Sequence, residues 1–192
     1  QEGYEVAGRP DVANCLTQAG EAAGLKLNSR EDLLFDDNWS VPLFYLTPDY
    51  SIPLVTIHMN CINPPVPTPE ESVRAGQVIA EAIKNDLPDG LRVAVFATGG
   101  LSHEPGGARY FTLDEKFDRW FMDLLAEGDI DKVIEEATVE RMNAAGGGGT
   151  TELLAWMVAM AVAGGTPARS IFYVGSAEMR CGIGGSVWDT IH

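Results

Sequence analysis

Residues 91–107 read Leu-Arg-Val-Ala-Val-Phe-Ala-Thr-Gly-Gly-Leu-Ser-His-Glu-Pro-Gly-Gly. The apolar, β-branched run at 93–97 ends near the Gly99-Gly100 pair, a pattern that predicts a buried strand followed by a loop. Ligands of open α/β sheets bind outside the carboxyl ends of the strands, and histidine is the side chain that titrates closest to neutral pH. His103, which this loop carries, is therefore a candidate catalytic residue. The alternative is a hydrogen-bonded loop histidine.

The segments before this stretch predict a strand and a helix. Residues 52–61 are rich in β-branched side chains and favour a central strand, in which His58 is interpreted as a hydrogen-bonded core group. The run from Thr68 to Glu71 has the pattern of a capping box, so a helix is expected from there to about Asn85. Strand, helix and strand in this order predict a right-handed βαβ crossover. The expected fold is one α/β domain over residues 1–192, with a mixed or mostly parallel central sheet flanked by helices.

The remaining segments predict further helices and a last strand. Helical spacing of apolar residues predicts amphipathic helices over 10–23, 117–125 and 130–142. The acidic residues 36–40 lie between two apolar stretches and are interpreted as a solvated loop. Residues 171–174 predict a strand, and the glycine-rich residues 175–185 predict a loop.

The composition excludes several classes of partner. The chain of 192 residues has 28 acidic and 13 basic side chains and a net charge of −15, which disfavours nucleic acid and anionic membranes. No apolar run reaches membrane-spanning length, and the first residues do not have the pattern of a signal peptide. The three cysteines have no disulfide or zinc spacing, and a reducing, cytoplasmic location is expected.

A second candidate group stands at the start of the most apolar helical segment. Either Thr150 or Thr151 is a suitable cap for this helix, which is apolar on every side and is expected to be buried. Glu152 is the one ionisable group before eleven apolar residues. A carboxylate there either complements the helix dipole or lies against a cation or metal, because an unpaired buried charge is costly. His103 and Glu152 could form an acid–base pair, part of a metal site, or neither.

Other catalytic motifs fit poorly. Residues 100–104, Gly-Leu-Ser-His-Glu, lack the second glycine of a nucleophile elbow. The glycine clusters match neither a Walker loop nor a dinucleotide fingerprint. A hydrolase that uses Ser102 or His103 is therefore a weaker alternative.

The motif Thr-Gly-Gly-Leu-Ser-His at 98–103, followed by Thr-Glu-Leu-Leu-x-Trp at 151–156, resembles the class III extradiol ring-cleavage dioxygenases. Cys-Ile-Asn at 61–63, followed by Pro65, Pro67 and Gly-Gln-x-Ile at 76–79, is also similar to that family. The family's amino-terminal section has no counterpart here. The resemblance thus identifies residues 1–192 as the carboxy-terminal portion of such a domain.

The resemblance implies a non-haem Fe(II) enzyme that opens a protocatechuate-like or gallate-like catecholic ring with dioxygen (O2). Such enzymes bind iron through two histidines and one glutamate and leave positions open for substrate and O2. Glu152 matches the family's carboxylate ligand, and the remaining iron ligands are expected outside this chain. His103 matches the catalytic histidine, which lies beside the iron and transfers protons.

The resemblance also identifies substrate-side residues and assembly. Asp37 stands where a family stretch before Pro42-Leu43 has a histidine, and Asp37 and Ser102 are the candidate substrate-binding residues. A homo-oligomer or hetero-oligomer is expected. The alternative function is a non-catalytic structural subunit of a dioxygenase assembly, which keeps the fold and lacks a complete iron site.

Overall fold

A computed structural model of the protein describes residues 5–30 and 36–189. Its helices are α1 (Pro10–Ala22), α2 (Asp37–Leu46), α3 (Pro69–Asn85), α4 (Glu115–Glu127), α5 (Ile130–Glu136), α6 (Val139–Gly146) and α7 (Leu153–Val162). A 3-10 helix, Gly147–Glu152, joins α6 to α7, and strands β1 (Arg169–Ser176) and β2 (Cys181–Val187) follow. None of the helices in the described ranges is long and apolar enough to cross a membrane.

The core is organised around α7, as its apolar composition predicts. Leu153, Leu154, Met157 and Met160 of this helix are fully buried. Burial of each such side chain contributes about 1.5–3 kcal/mol relative to leaving it exposed. Helix α3 packs closely against α7 at Gly76, where an added Cβ would lie 2.6 Å from the Cβ of Ala161.

Local signals confirm several predicted helices. Thr68 and Glu71 form the predicted capping box: the Glu71 N–H donates to Thr68 Oγ1 over 3.2 Å, and the Thr68 N–H donates to Glu71 Oε2 over 2.8 Å.

The helix predicted over 130–142 is instead two helices, α5 and α6. The break occurs because Thr138 caps α6 by accepting the N–H of Arg141 over 3.2 Å.

Residues 36–40, Asp-Asp-Asn-Trp-Ser, do not form the predicted solvated loop. They begin α2, and Asp36 caps this helix because its side chain accepts the N–H of Asn38 over 3.0 Å. An aspartate followed by a hydrogen-bonded turn is a helix start as readily as it is part of a loop. Residues 33–35, the apolar stretch before the cap, lie outside the described residues.

The described residues contain one sheet, the antiparallel pair β1–β2, in which Arg169 lies opposite Val187 and Ser176 opposite Cys181. The strand predicted at 171–174 is confirmed as part of β1. The loop predicted at 175–185 is wrong, because β2 begins at Cys181. Its glycines permit close packing: a Cβ at Gly184 would lie 2.9 Å from Leu101 Cδ1.

The predicted mixed or mostly parallel central sheet is not shown by the described residues. Neither segment 52–61 nor segment 93–97 forms a strand. In the first segment, Leu54 makes an isolated parallel β-bridge with Gly8. The run at 93–97 is not buried as predicted, since Val93 and Val95 are each 42% exposed. β-branched residues favour extended backbone, but a strand forms only where a second strand pairs with it.

His58 is also placed differently from its prediction. It is exposed, and its ring stacks on Trp39 with the ring centroids 5.2 Å apart. The interpretation of His58 as a core group is therefore wrong, because it depended on a buried strand at 52–61.

Candidate active site

Residues 99–103 form a loop, here named the histidine loop, that lies between β2 and the start of α7. On one side, the Leu101 N–H donates to the Gly182 carbonyl over 3.1 Å, and the Gly182 N–H donates to the Ser102 carbonyl over 3.3 Å. On the other side, Trp156 of α7 donates its indole N–H to the Gly99 carbonyl over 2.9 Å. The loop is therefore held by hydrogen bonds from two elements that are distant in sequence.

The two glycines of this loop adjoin Glu152. The Gly100 N–H donates to Glu152 Oε2 over 2.9 Å. Gly99 has a φ of +114°, and a Cβ there would lie 2.6 Å from the Cβ of Glu152. Glycine is required on both counts, because L residues rarely adopt that φ and the carboxylate occupies the space.

Glu152 itself stands at the N-cap position of α7, and its side chain makes no cap hydrogen bond. The expectation that Thr150 or Thr151 caps this helix is therefore wrong. Both threonines lie in the preceding 3-10 helix, and their hydroxyls bond elsewhere: Thr150 contacts the backbone of His103, and Thr151 donates to the Cys61 carbonyl. The Glu152 carboxylate is thus free of a capping role and faces the histidine loop.

His103 lies against this carboxylate. Its Nδ1 is 2.9 Å from the Leu101 carbonyl oxygen, and because a carbonyl only accepts, Nδ1 carries the hydrogen. Its Nε2 lies 4.0 Å from Glu152 Oε2, and both side chains are 21% exposed. The structure thus brings together two predicted site residues that are 152 − 103 = 49 positions apart in the chain.

The glycine run before Glu152 makes room for the imidazole. A Cβ at Gly149 would lie 2.6 Å from both Cε1 and Nε2 of His103, and one at Gly146 would lie 2.6 Å from the His103 backbone N. The sequence predicted no role for this run. The signal that indicates close backbone approach is the position of the glycines directly before a candidate site residue.

Ser102 belongs to a buried hydrogen-bond network centred on Asp118 of α4. Both residues are fully buried. The Ser102 hydroxyl donates to Asp118 Oδ2 over 2.9 Å and accepts the Asp114 N–H over 2.8 Å. The Ser102 N–H donates to Asp118 Oδ1 over 2.8 Å, and the Tyr173 hydroxyl donates to Oδ2 over 2.9 Å. This placement disfavours a nucleophilic Ser102, because the hydroxyl is enclosed and bonded to a carboxylate.

Burial raises the pKa of Asp118 above its ordinary value, although its hydrogen bonds to Ser102 and Tyr173 oppose that rise. Burial and the bond to Asp118 likewise raise the pKa of Tyr173. Sequence reasoning missed both residues. The available signal was a charged residue beside Phe117 and Phe121 on the apolar face of α4.

Cys61 is a further buried group near the site. Burial, together with the negative charge of Glu152, raises the pKa of its thiol to about 11. Asp37, the other candidate substrate-side residue, is the first residue of α2. Its role in substrate binding stays a prediction.

The described residues do not complete a metal site. In residues 5–30 and 36–189, no three His, Cys, Asp or Glu side chains are grouped so as to hold a metal ion. Glu152 and His103 offer one carboxylate and one imidazole, which is fewer than the ligands that iron requires.

Comparison with known proteins defines the class. Residues 1–179 match a family of aromatic ring-opening dioxygenases, and the chain therefore belongs to that family. The matching family is described as the catalytic LigB subunit of aromatic ring-opening dioxygenase, and the predicted class III extradiol assignment is confirmed. Over 156 residues the chain is 26% identical to a gallate dioxygenase of Pseudomonas putida, a match that covers 80% of this chain and 45% of that protein. The chain thus spans less than half the length of this relative.

Proposed function

We propose that this chain carries part of the active site of a non-haem Fe(II) dioxygenase that cleaves a protocatechuate-like or gallate-like catecholic ring with O2. The observation that carries the proposal is the pairing of His103 Nε2 with Glu152 Oε2 at 4.0 Å, against the glycine pair of the histidine loop. Membership of the ring-opening dioxygenase family supports the reaction class. The gallate dioxygenase relative supports a phenolic ring bearing adjacent hydroxyls as the substrate.

In this proposal Glu152 is an iron ligand. Its Oε2 is oriented by the Gly100 N–H, and Gly99 leaves the carboxylate uncovered by a side chain. A carboxylate combined with imidazoles suits non-haem Fe(II), which supplies the activation of O2 when it is bound. The other ligands come from outside the described residues, since these hold no group of three potential ligands.

His103 is the proposed proton-transfer residue. The Nδ1 bond to the Leu101 carbonyl leaves Nε2 of the neutral ring as a proton acceptor. A catecholic hydroxyl within hydrogen-bond reach of Nε2 loses its proton to the imidazole, and the same nitrogen returns the proton later.

Asp37 is retained as a proposed substrate-side residue. Ser102, the other residue predicted to bind substrate, is proposed instead to hold the histidine loop, because its hydroxyl is buried and bonded to the Asp118 carboxylate and the Asp114 N–H. We further propose a cytoplasmic, oligomeric protein.

An anaerobic Fe(II) titration followed by NMR tests the ligand role, in the chain supplemented with the part of the gallate dioxygenase relative that lies outside the match. Paramagnetic broadening of the Gly99, Gly100 and His103 signals is expected in the wild-type chain and is expected to be lost in Glu152→Ala. His103→Gln is expected to retain the broadening. Glu81→Ala is the matched control, because Glu81 is an exposed carboxylate on α3.

The reaction is then tested by O2 uptake and ring-opened product with gallate or protocatechuate, in the chain supplemented with the part of the relative outside the match. His103→Gln is expected to slow turnover, whereas His58→Gln, at an exposed histidine, is expected to leave it unchanged. That residues 5–30 and 36–189 hold no group of three potential ligands supports one alternative, a structural subunit of a dioxygenase assembly that lacks a complete iron site. Identical Fe(II) responses of the wild type and Glu152→Ala would support that alternative and contradict the enzymatic proposal.

A further inference from the structure

We propose that Asp118 is a positioning residue that acts through Ser102 to hold the His103 imidazole in its orientation towards Glu152. This inference rests on the proposed role of His103 in proton transfer. The Asp118 carboxylate belongs to α4, whereas the residues that it orients belong to the histidine loop.

The carboxylate fixes Ser102 at two points. Oδ1 accepts the Ser102 backbone N–H over 2.8 Å, and Oδ2 accepts the Ser102 hydroxyl over 2.9 Å. Because the Ser102 N–H and the Leu101 carbonyl belong to the same peptide group, the bond to Oδ1 also sets the direction of that carbonyl. The Leu101 carbonyl is the acceptor for His103 Nδ1. A continuous chain of bonds therefore runs from Asp118 to the imidazole.

The burial of Asp118 indicates that it has a specific role in this chain of bonds. Asp118, Ser102 and Leu101 are all essentially inaccessible to solvent. A buried carboxylate costs free energy that an apolar residue on the same face of α4 would not. Two features of the surroundings accommodate it: Tyr173 of β1 donates a third hydrogen bond, and a Cβ at Gly182 of β2 would overlap Oδ2.

Tyr173 provides a matched control. Its hydroxyl bonds to the same carboxylate oxygen that accepts the Ser102 hydroxyl, at the same distance of 2.9 Å. Tyr173 lies on β1, outside the chain of bonds that leads to the imidazole. Tyr173→Phe therefore removes one bond to Asp118 and preserves both bonds between Asp118 and Ser102.

The test is the tautomer of His103, measured by 15N NMR of the imidazole nitrogens at pH 9 in the full chain without added metal. At this pH histidine rings are neutral, so each ring carries one proton on one nitrogen. The wild type is expected to hold the His103 proton on Nδ1. Asp118→Ala removes both acceptor oxygens and is expected to lose that single-tautomer signature, giving a mixture with the Nε2–H form. Ser102→Ala keeps the bond from its backbone N–H to Asp118 Oδ1 and is expected to keep the signature. Tyr173→Phe is expected to keep it while lowering the urea midpoint.

A purely structural Asp118 gives a different result. If Asp118→Ala lowers the urea midpoint and leaves His103 on Nδ1, the positioning role is overturned. A wild-type proton on Nε2 would overturn it as well. If Asp118→Ala does not fold, Asp118→Val decides in its place, since it is closer in volume to aspartate and also lacks the acceptor oxygens. Neither iron nor substrate enters this measurement, so a failure of the Fe(II) titration is distinguishable from a failure of this inference.

Discussion

The contact between Gly149 and His103 leads to a quantitative prediction for Gly149→Ala. Gly149 lies in the 3-10 helix before α7, and its backbone has no positive φ, so alanine meets no conformational barrier there. The obstacle is space. The new methyl group would lie 2.6 Å from both Cε1 and Nε2 of His103, whereas ordinary contacts begin at 3.4 Å.

The imidazole must therefore move by about 3.4 − 2.6 = 0.8 Å, or the backbone must move instead. Displacing the ring weakens its 2.9 Å bond to the Leu101 carbonyl. Overpacking of this kind costs about 1–3 kcal/mol of the free energy of unfolding. In a domain of this size each kcal/mol lowers the melting temperature by about 2–4 °C.

Urea unfolding and the NMR signals of the His103 ring measure both effects. Gly148→Ala is the control, because the nearest atom to its new Cβ is Ile62 Cγ2 at 3.3 Å, in a side chain that is 50% exposed. The control is expected to change stability by less than about 1 kcal/mol. Equal stability losses in the two variants, or unchanged His103 signals in Gly149→Ala, would refute the packing argument.

Three further predictions follow from local contacts. Thr68→Ala removes half of the capping box and is expected to lower the free energy of unfolding by about 1 kcal/mol, measured in urea. Burial raises the pKa of Asp118 above its ordinary value of 3.8. Below pH 3.8 the protonated carboxyl therefore contributes its full stabilisation of the fold, and this contribution is lost as the pH rises through the raised pKa. Asp118→Asn lacks the contribution, so the stability gap between wild type and variant should narrow as the pH rises from about 4, and a gap that widens would contradict this. Cys61, buried and with a pKa of about 11, should resist alkylation at pH 8 under native conditions, and mass spectrometry of the labelled chain checks this.

The two central residues of the candidate site were predictable from neighbouring residues. His103 follows a β-branched run and a glycine pair, and Glu152 precedes the most apolar helix of the chain. Each pattern concerns a few adjacent positions, so it is visible without the fold. The structure places them together, at 4.0 Å, and their roles stay proposals.

Asp118 was not predictable in the same way. In sequence it is one acidic residue in an amphipathic helix, and such residues are usually solvated. Its burial becomes evident only when the histidine loop and β1 close over it and supply three donors. The position of Gly182 was not predictable either. It belongs to a segment predicted as a loop, but it is a strand residue packed against the Asp118 carboxylate.

The strand predictions show that a local preference for extended backbone does not by itself produce a paired strand. Residues 93–97 and 171–174 are similarly apolar and β-branched or aromatic, and only the second segment has a partner strand within the described residues. The partner is β2, whose glycines gave no strand signal. Extended backbone is a local preference, but the hydrogen bonds of a strand require a second chain segment at the right distance.

The sequence by itself determined α3, which begins at the Thr68 capping box, and the buried helix α7, since caps and apolar spacing act within one or two turns. It also determined the family, through the motifs at 98–103 and 151–156. Only the tertiary structure decided the distance between His103 and Glu152, the enclosure of Asp118 and the pairing of β2. These features depend on contacts between residues far apart in the chain, and packing of the whole domain sets their geometry.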